Sequence, residues 1–200
     1  MSTGPEQDVD AASLALARDG SVAAFETLVE RHRDRVYGLA KRMLRSEADA
    51  AEVTQETFLS AWEALPTFRG EAAFGTWILR IAANHSLMRL RKRQVRQSAA
   101  EQLRQPGFSD DGHLAEPPAR QWGRPADEHA LDRELGEAIQ QATDALPEGY
   151  REVFLLKDLE GLSYDEIGEL TGTSVAAVKS RLHRARLALR QDIDRFYREH

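Results

Sequence analysis

The chemistry available to this sequence lies in three clusters of charged side chains. Positions 46–64 contain five acidic residues and neither Lys nor Arg, whereas positions 72–100 contain six basic residues and no acid. Positions 179–190 add five basic residues, again without an acid. Arg and Lys bind phosphates and base edges, and a stripe of carboxylates binds a basic surface. The segregation predicts two kinds of partner, although a net charge of −6 alone argues mildly against nucleic-acid binding.

Bond-breaking chemistry is not indicated. The sequence has no paired carboxylates in a pocket signature, no nucleophile motif, no phosphate-binding loop and no set of metal ligands, so we expect no enzyme activity, cofactor or metal. There is no cysteine, which excludes disulfides and thiolate sites and agrees with a reducing compartment. No apolar run approaches about 18 residues and the N-terminus lacks a secretory signal, so we expect a cytoplasmic protein without a membrane segment.

The third cluster lies on a predicted helix-turn-helix. Ser163 and Glu166 form a capping box that starts one helix, Gly172 ends it, and Thr173 or Ser174 caps the next helix. In the DNA-binding version of the motif this second helix lies in the major groove. Its outer face has Lys179, Ser180, Arg181, Arg184 and Arg186. The alternative is an ordinary helical hairpin with a solvated basic face.

The acidic cluster lies on one side of a helix predicted from Ser46 to Leu65. Ser46 and Asp49 form a second capping box at its start. On a helical wheel the acidic side has Asp49, Glu52, Glu56 and Glu63, and the opposite side, which we expect in the core, has Thr54, Phe58, Ala61, Trp62 and Leu65. The acidic side is either an ordinary solvated face or a dock for a basic helix of another protein.

The middle cluster lies on a long helix that is predicted to end near Gln97. One face of this helix is expected in the core and has Phe74, Trp77, Ile78, Ile81, His85 and Met88. The opposite flank has Thr76, Arg80, Asn84, Leu87 and Arg91, followed by a basic run from Arg89 to Arg96. Proteins that bind single-stranded DNA combine such a basic track with pockets for splayed bases.

These elements predict an all-α protein with two small helical domains joined by a flexible linker. Residues 1–20 are predicted as a flexible tail and residues 21–97 as the first domain. Residues 98–130 hold four of the seven prolines and have no apolar periodicity, which predicts the linker. Residues 131–200 form the second domain, which contains the helix-turn-helix.

Several segments resemble the extracytoplasmic-function (ECF) sigma factors of bacteria. The segment from Asp49 to Phe58 with Ala61 and Trp62 resembles their polymerase-binding helix. Phe68-Arg-Gly, Thr76-Trp77 and the segment from Arg80 to Asn84 resemble their −10 recognition loop and helix. Residues 146–154, 161–167 and 178–186 resemble their −35-reading domain. The resemblance covers both helical blocks in the family's order.

The resemblance implies three sets of contact residues. The polymerase-binding set, which would contact a coiled coil of the β′ subunit, is Asp49, Glu52, Gln55 and Glu56. The −10 DNA set is Phe68, Arg69, Phe74, Thr76, Arg80, Asn84 and Arg91. Within it, the loop 68–74 with Arg80 and Asn84 would hold a base flipped from the non-template strand. The −35 DNA set is Ser174, Lys179, Ser180, Arg181, Arg184 and Arg186. Residues 89–96 would track phosphates.

The resemblance also implies the partners. They are RNA polymerase core, through its β′ and β subunits, promoter DNA and an anti-sigma factor, and the free protein is expected to be a monomer. The function implied is promoter-specific initiation of transcription, in a stress or envelope-response regulon. The alternative is a helix-turn-helix regulator that binds DNA without core polymerase.

Overall fold

Every element that the structure describes is a helix, which confirms the all-α prediction. The computed structural model describes the backbone of residues 5–102 and 128–199 and the side chains of residues 9–96 and 134–198. The first-domain helices are α1 (Pro5–Arg18), α2 (Val22–Leu44), α3 (Glu47–Ala64) and α4 (Phe74–Gln102), with a 3-10 turn at Leu65–Thr67. The second-domain helices are α5 (Glu128–Ala145), α6 (Glu148–Phe154), α7 (Tyr164–Thr171) and α8 (Val175–Glu199), with a π-helical turn at Leu155–Leu159.

Helices α2, α3 and α4 pack against one another to form the first domain. Ser21 and Ser46 cap α2 and α3 by accepting hydrogen bonds from the backbone N–H groups of Ala24 and Asp49. The apolar sides of the three helices meet in a core whose fully buried members include Leu28, Leu39, Met43, Val53, Ala61 and Ile78. Their burial is the main favourable term that fixes the relative positions of the helices.

The prediction of a flexible tail over residues 1–20 was wrong from Pro5 onward, and residues 1–4 lie outside the described residues. Helix α1 packs on α2, and Ala17 is buried in the core of the first domain. Asp10 is 2% exposed and forms an ion pair with Arg31, while its Oδ2 lies 2.7 Å from Nε2 of His32. These partners replace the water that a buried carboxylate loses, which lets a polar segment dock as a helix.

The interval between the helices of the two domains is shorter than the predicted linker of residues 98–130. Helix α4 continues to Gln102, and α5 begins at Glu128. Both ends of the predicted linker are therefore helical. Residues 103–127 lie outside the described residues, and their predicted flexibility stays a prediction.

The second domain is built around α8, against which α5, α6 and α7 all pack. Its buried apolar residues include Leu146, Val153, Leu156, Ile167, Val178 and Leu182. Val153 and Leu156 are buried in one cluster with Ile167 and Val178 of the helix-turn-helix, whereas Leu159 is 49% exposed. The π-helical turn explains this difference, because its wider spacing rotates Leu159 off the face that a regular helix would give it.

The two domains contact each other. Helix α7 packs against α4, and the π-helical turn packs against α2. One buried apolar cluster includes residues of both domains, among them Leu28 and Leu155. Within the described ranges, no helix has the length and apolar character needed to cross a bilayer.

Candidate protein and nucleic-acid interfaces

The polymerase-binding set forms an acidic ridge, defined as Asp49, Glu52, Gln55 and Glu56, on the outer side of α3. The side chains of Asp49, Glu52 and Glu56 are 41%, 65% and 48% exposed. The opposite side of α3 places Ala50, Val53, Phe58 and Ala61 in the core. Since that side is fixed by packing, the ridge points to solvent on a rigid helix. The predicted apolar side is confirmed for Phe58, Ala61 and Leu65, whereas Thr54 and Trp62 are half-buried.

Arg89 of α4 lies in the middle of the acidic ridge. Its Nη1 is 3.1 Å from Oδ1 of Asp49 and 2.7 Å from Oε2 of Glu52, and its Nη2 is 3.4 Å from Oε1 of Glu56. Partial burial opposes the charge of Arg89, but its hydrogen bond to Glu52 and the three carboxylates outweigh that effect and raise its pKa. The guanidinium of Arg89 is thus bound to the ridge, and its predicted contact with phosphates stays a prediction.

An apolar groove adjoins the ridge between α2 and α3, with a volume of about 520 Å³. Its walls include Val22, Phe25, Phe58, Leu59 and Trp62, and Gln55 of the ridge borders it. Leu59 is 58% exposed and Val22 is 60% exposed. This groove was not predicted from the sequence. The residue that could have indicated it is Leu59, which is apolar but lies one position beyond the core side of α3.

Two members of the −10 set lie in the core rather than at a surface. Phe68 is 8% and Phe74 is 2% exposed, and their ring centroids lie 4.8 and 5.6 Å from that of Trp77. The prediction that they hold a flipped base was wrong, because three aromatic rings bury one another when a loop folds back on the helix that follows it. Their packing instead anchors the loop that presents Arg69, whose side chain is 84% exposed.

The remaining −10 residues lie on one flank of α4. Asn84 and Arg91 are exposed, and Thr76 and Arg80 are half-buried. Leu87, which we expected on the same exposed flank, is buried. This flank also contacts the second domain, since Arg80 forms an ion pair with Glu166 and Arg91 donates to the carbonyl oxygen of Leu170. Leu87 belongs to the buried apolar cluster that includes residues of both domains.

The prediction of the core face of α4 is confirmed in the first half of this face and wrong at Met88, near its end. Phe74 and Ile78 are buried, and Trp77 packs against the core. Met88 is 45% exposed, because it borders the cleft lined by the acidic side of α3 instead of its apolar side. His85 is half-buried, with Nε2 placed 3.0 Å from Oγ of Ser60. Among the described residues, no group of His, Asp or Glu side chains forms a metal site.

The helix-turn-helix has the predicted caps and one constraint that the sequence analysis missed. Ser163 and Glu166 form the capping box, and Gly172 ends α7 with φ at 67°. Ser174, rather than Thr173, caps α8 by accepting a hydrogen bond from the N–H of Ala177. At Gly168, a Cβ atom would lie 2.9 Å from the carbonyl oxygen of Thr173, so the turn closes this tightly only around glycine.

The −35 set lies along α8 but is not uniformly free. Ser174, Lys179, Ser180, Arg184 and Arg186 are exposed, and Arg181 is half-buried beside Gly149 of α6. The guanidinium of Arg186 binds both carboxylate oxygens of Asp158, at 2.9 and 2.6 Å. Arg184 donates to the hydroxyl of Tyr150 at 3.1 Å. Lys179 is exposed with its ammonium 5.3 Å from the centroid of the Tyr164 ring, and Ser180 is exposed beside it.

Glu152 of α6 titrates near neutral pH. Burial raises the pKa of its carboxyl to about 7, and the nearby negative charge of Glu148 adds to the rise, while Arg151, Arg181 and Arg91 oppose it. Since the pKa in the folded state lies above that of the unfolded chain, protonated Glu152 stabilises the fold at low pH. That stabilisation is lost as pH rises to about 7 and beyond.

We therefore expect Glu152→Gln to remove part of the pH dependence of stability. The free energy of unfolding of the variant should exceed that of the parent by roughly 1–3 kcal/mol at pH 8 and match it near pH 4.5. Urea unfolding at the two pH values measures this difference. Glu137→Gln, at an exposed position of α5, is the matched control. Parallel pH profiles for parent and Glu152→Gln would show that Glu152 does not titrate in this range.

Comparison with known proteins places both halves of the chain in one family. The family described as Sigma-70 region 2 matches residues 28–96, and Sigma-70 region 4 matches residues 136–189. An ECF RNA polymerase sigma-E factor of Escherichia coli (strain K12) is 34% identical over 186 residues, covering 92% of this chain and 94% of the relative. The chain belongs to the ECF sigma factors. A sigma-E factor of Haemophilus influenzae is 35% identical over 183 residues, covering 90% of this chain and 93% of the relative.

Two solved structures share the fold of this ECF sigma factor. CnrH in complex with the cytosolic domain of CnrY aligns with a TM-score of 0.54 at 28% identity, covering 92% of this chain and 97% of CnrH. The sigma factor RpoE of Bartonella quintana, solved with the anti-sigma factor NepR, aligns with a TM-score of 0.54 at 23% identity, covering 86% and 98% of the two chains. The prediction of the family from the sequence is confirmed.

Proposed function

We propose that this ECF sigma factor directs core RNA polymerase to promoters and uses surfaces of opposite charge for the enzyme and for the DNA. The observation that supports this most strongly is the order of the two matched regions, one with the acidic ridge and one with a basic recognition helix. The first would bind the polymerase, and the second would bind the promoter. Neither role requires a cofactor, a metal or catalysis by the sigma factor itself.

The acidic ridge is the proposed contact with a basic coiled coil of the β′ subunit. Its carboxylates are exposed, and Arg89 holds three of them together on the outer side of α3. A partner helix with basic residues would add charge-assisted hydrogen bonds to carboxylates that are already in position. Preorganisation of this kind lowers the entropy cost of association.

The −10 element is proposed to contact the exposed loop around Arg69 and the flank of α4. Arg80 and Asn84 supply hydrogen-bond donors for a base that leaves the stack, and capture of that base offsets the few kcal/mol that extrusion costs. Phe68 and Phe74 would position the loop without touching DNA, since both are buried. Exposed Arg91, Lys92, Arg93 and Arg96 would bind phosphates.

The −35 element is proposed to contact α8 in the major groove. Lys179 and Ser180 are exposed near the start of the helix, where recognition helices contact base edges. Ser174, at the N-cap, would lie close to the DNA backbone. Arg184 and Arg186 would exchange their contacts with Tyr150 and Asp158 for phosphate oxygens.

Regulation by a protein partner is also part of the proposal. The sigma factor RpoE of Bartonella quintana forms a complex with the anti-sigma factor NepR, and we extend binding by an anti-sigma factor to the present protein. We further propose that the free sigma factor is a cytoplasmic monomer that serves a stress or envelope-response regulon. The β subunit would provide a second contact with the polymerase.

Transcription with purified components tests the proposal. Core polymerase with the sigma factor should give transcripts that start at defined sites, and core polymerase alone should not. The templates are promoters whose transcripts appear in cells that overexpress the sigma factor. Gel shifts with and without core polymerase separate this function from that of a helix-turn-helix regulator, because such a regulator binds its DNA duplex without core polymerase. Specific duplex binding by the free protein, with no effect of core, would contradict the proposal.

A further inference from the structure

Glu160 links the two domains through a buried ion pair. It follows the π-helical turn of the second domain, and its side chain is 2% exposed. One carboxylate oxygen lies 3.2 Å from Nη2 of Arg35, and the other lies 3.6 Å from Nη2 of Arg42. Both arginines belong to α2 of the first domain. Burial of a carboxylate is costly unless cations compensate it, so this contact depends on the closed arrangement of the domains.

Three further bonds cross between the domains, and two of them use residues of the −10 set. Arg80 forms an ion pair with Glu166, whose other oxygen accepts from the N–H of Ser163 in the capping box. Nη2 of Arg91 donates to the carbonyl oxygen of Leu170 at 2.8 Å. The third bond, from Arg151 to the carbonyl oxygen of Met43, is 3.4 Å long.

We propose that in the absence of polymerase the second domain covers the −10 flank of α4, and that Glu160, bound to Arg35 and Arg42, holds it there. This inference rests on the function proposed above, which assigns that flank to DNA. Opening releases Arg80 and Arg91 for DNA while both domains stay folded. The polar groups of the interface regain water on opening, while the apolar residues that the two domains bury together, among them Leu28 and Leu155, oppose it.

Charge reversal at Glu160 gives a direct test. Glu160→Lys places an ammonium group against Arg35 and Arg42 in the closed form, whereas in the open form position 160 faces water. Two introduced cysteines report the distance between domains, and the natural sequence contains none. Ala48→Cys and Ala145→Cys are both exposed, and they flank the bonds that Arg151 makes to Met43 and Leu146.

We expect single-molecule energy transfer between dyes on these cysteines to be high in the parent and low in Glu160→Lys. Glu137→Lys has the same charge change at an exposed position of α5 and should resemble the parent. Adding Arg35→Glu to Glu160→Lys restores an ion pair and should restore high transfer, which also shows that the variant folds. Equal transfer in the parent and Glu160→Lys, or low transfer in the parent itself, would overturn the proposal.

The DNA flank provides the second readout. Fluorescence anisotropy with a labelled single strand of about 16 nucleotides should show roughly tenfold tighter binding by Glu160→Lys than by Glu137→Lys at equal salt. Equal binding by the two variants would overturn the covering of the flank. Adding core polymerase to the dye-labelled parent tests the proposed function separately. If core polymerase does not bind, the proposed function fails, but the comparison of parent and Glu160→Lys without core polymerase still stands.

Discussion

Reversing the charge of Glu52 and Glu56 together is expected to lower the affinity of this sigma factor for core polymerase at least about 100-fold. The two side chains are 65% and 48% exposed on the acidic ridge, so the change alters the surface rather than the core. In the variant, two new cations face the basic surface of the partner, and like charges brought together at an interface cost several kcal/mol. They also face Arg89, which would keep only Asp49 as an anionic partner.

A matched double variant on α2 controls for net charge. Glu30→Arg/Asp34→Arg has the same spacing and the same charge change at two exposed positions outside the ridge, and it should bind core as the parent does. Glu52→Gln/Glu56→Gln removes charge without adding repulsion and should lose a smaller factor, about tenfold. Binding is measured with labelled sigma factor titrated with core. Parent-like affinity of the charge-reversed ridge would rule out α3 as the polymerase contact.

The second large effect is expected on the recognition helix. Lys179→Glu/Arg184→Glu should reduce transcription from a promoter that depends on its −35 element at least about 100-fold, with affinity for core unchanged. Both side chains are exposed on α8, so their replacement leaves the core of the second domain intact. The variant loses two cations that would bind DNA and places two anions against the phosphates.

Position along α8 provides the control for this variant. Arg195→Glu/Arg198→Glu makes the same charge change on exposed residues of the same helix. Arg198 lies about 28 Å along the helix axis from Lys179, beyond the reach of the groove. On a template with a scrambled −35 element, the recognition variant and the parent should give equally weak transcription. A deficit that persists on the scrambled template, or one shared by the control, would show that α8 does not read this element.

Helix boundaries were predictable because short-range hydrogen bonds set them. The side chains of Ser46 and Ser163 accept from backbone N–H groups three residues away, so the sequence alone locates the starts of α3 and α7. The division of α3 into an acidic and an apolar side followed from the helical period in the same way. The caps also identified the helix-turn-helix, and with it the basic surface of α8.

Contacts between distant parts of the chain were not predictable in this way. Asp10 docks α1 because His32, in the next helix, lies beside it, and no local pattern indicates that pairing. Glu160 likewise finds its partners more than a hundred positions earlier, in α2. Leu87 and Met88 exchange their expected environments, because Leu87 joins the buried cluster of both domains and Met88 borders the cleft beside the acidic side of α3. In each case the tertiary neighbour, rather than the local period, determines burial.

The tight turn at Gly168 limits how the promoter preference of this sigma factor can be redesigned. The Cβ of any other residue would meet the carbonyl oxygen of Thr173 at 2.9 Å, and relief of that clash would tilt α8 relative to α7. A tilt of the reading helix would misalign every side chain along the groove at once. Libraries that vary Lys179, Ser180 and Arg184 to obtain new specificities should therefore keep glycine at 168, since a change there would erase the geometry on which each selected contact depends.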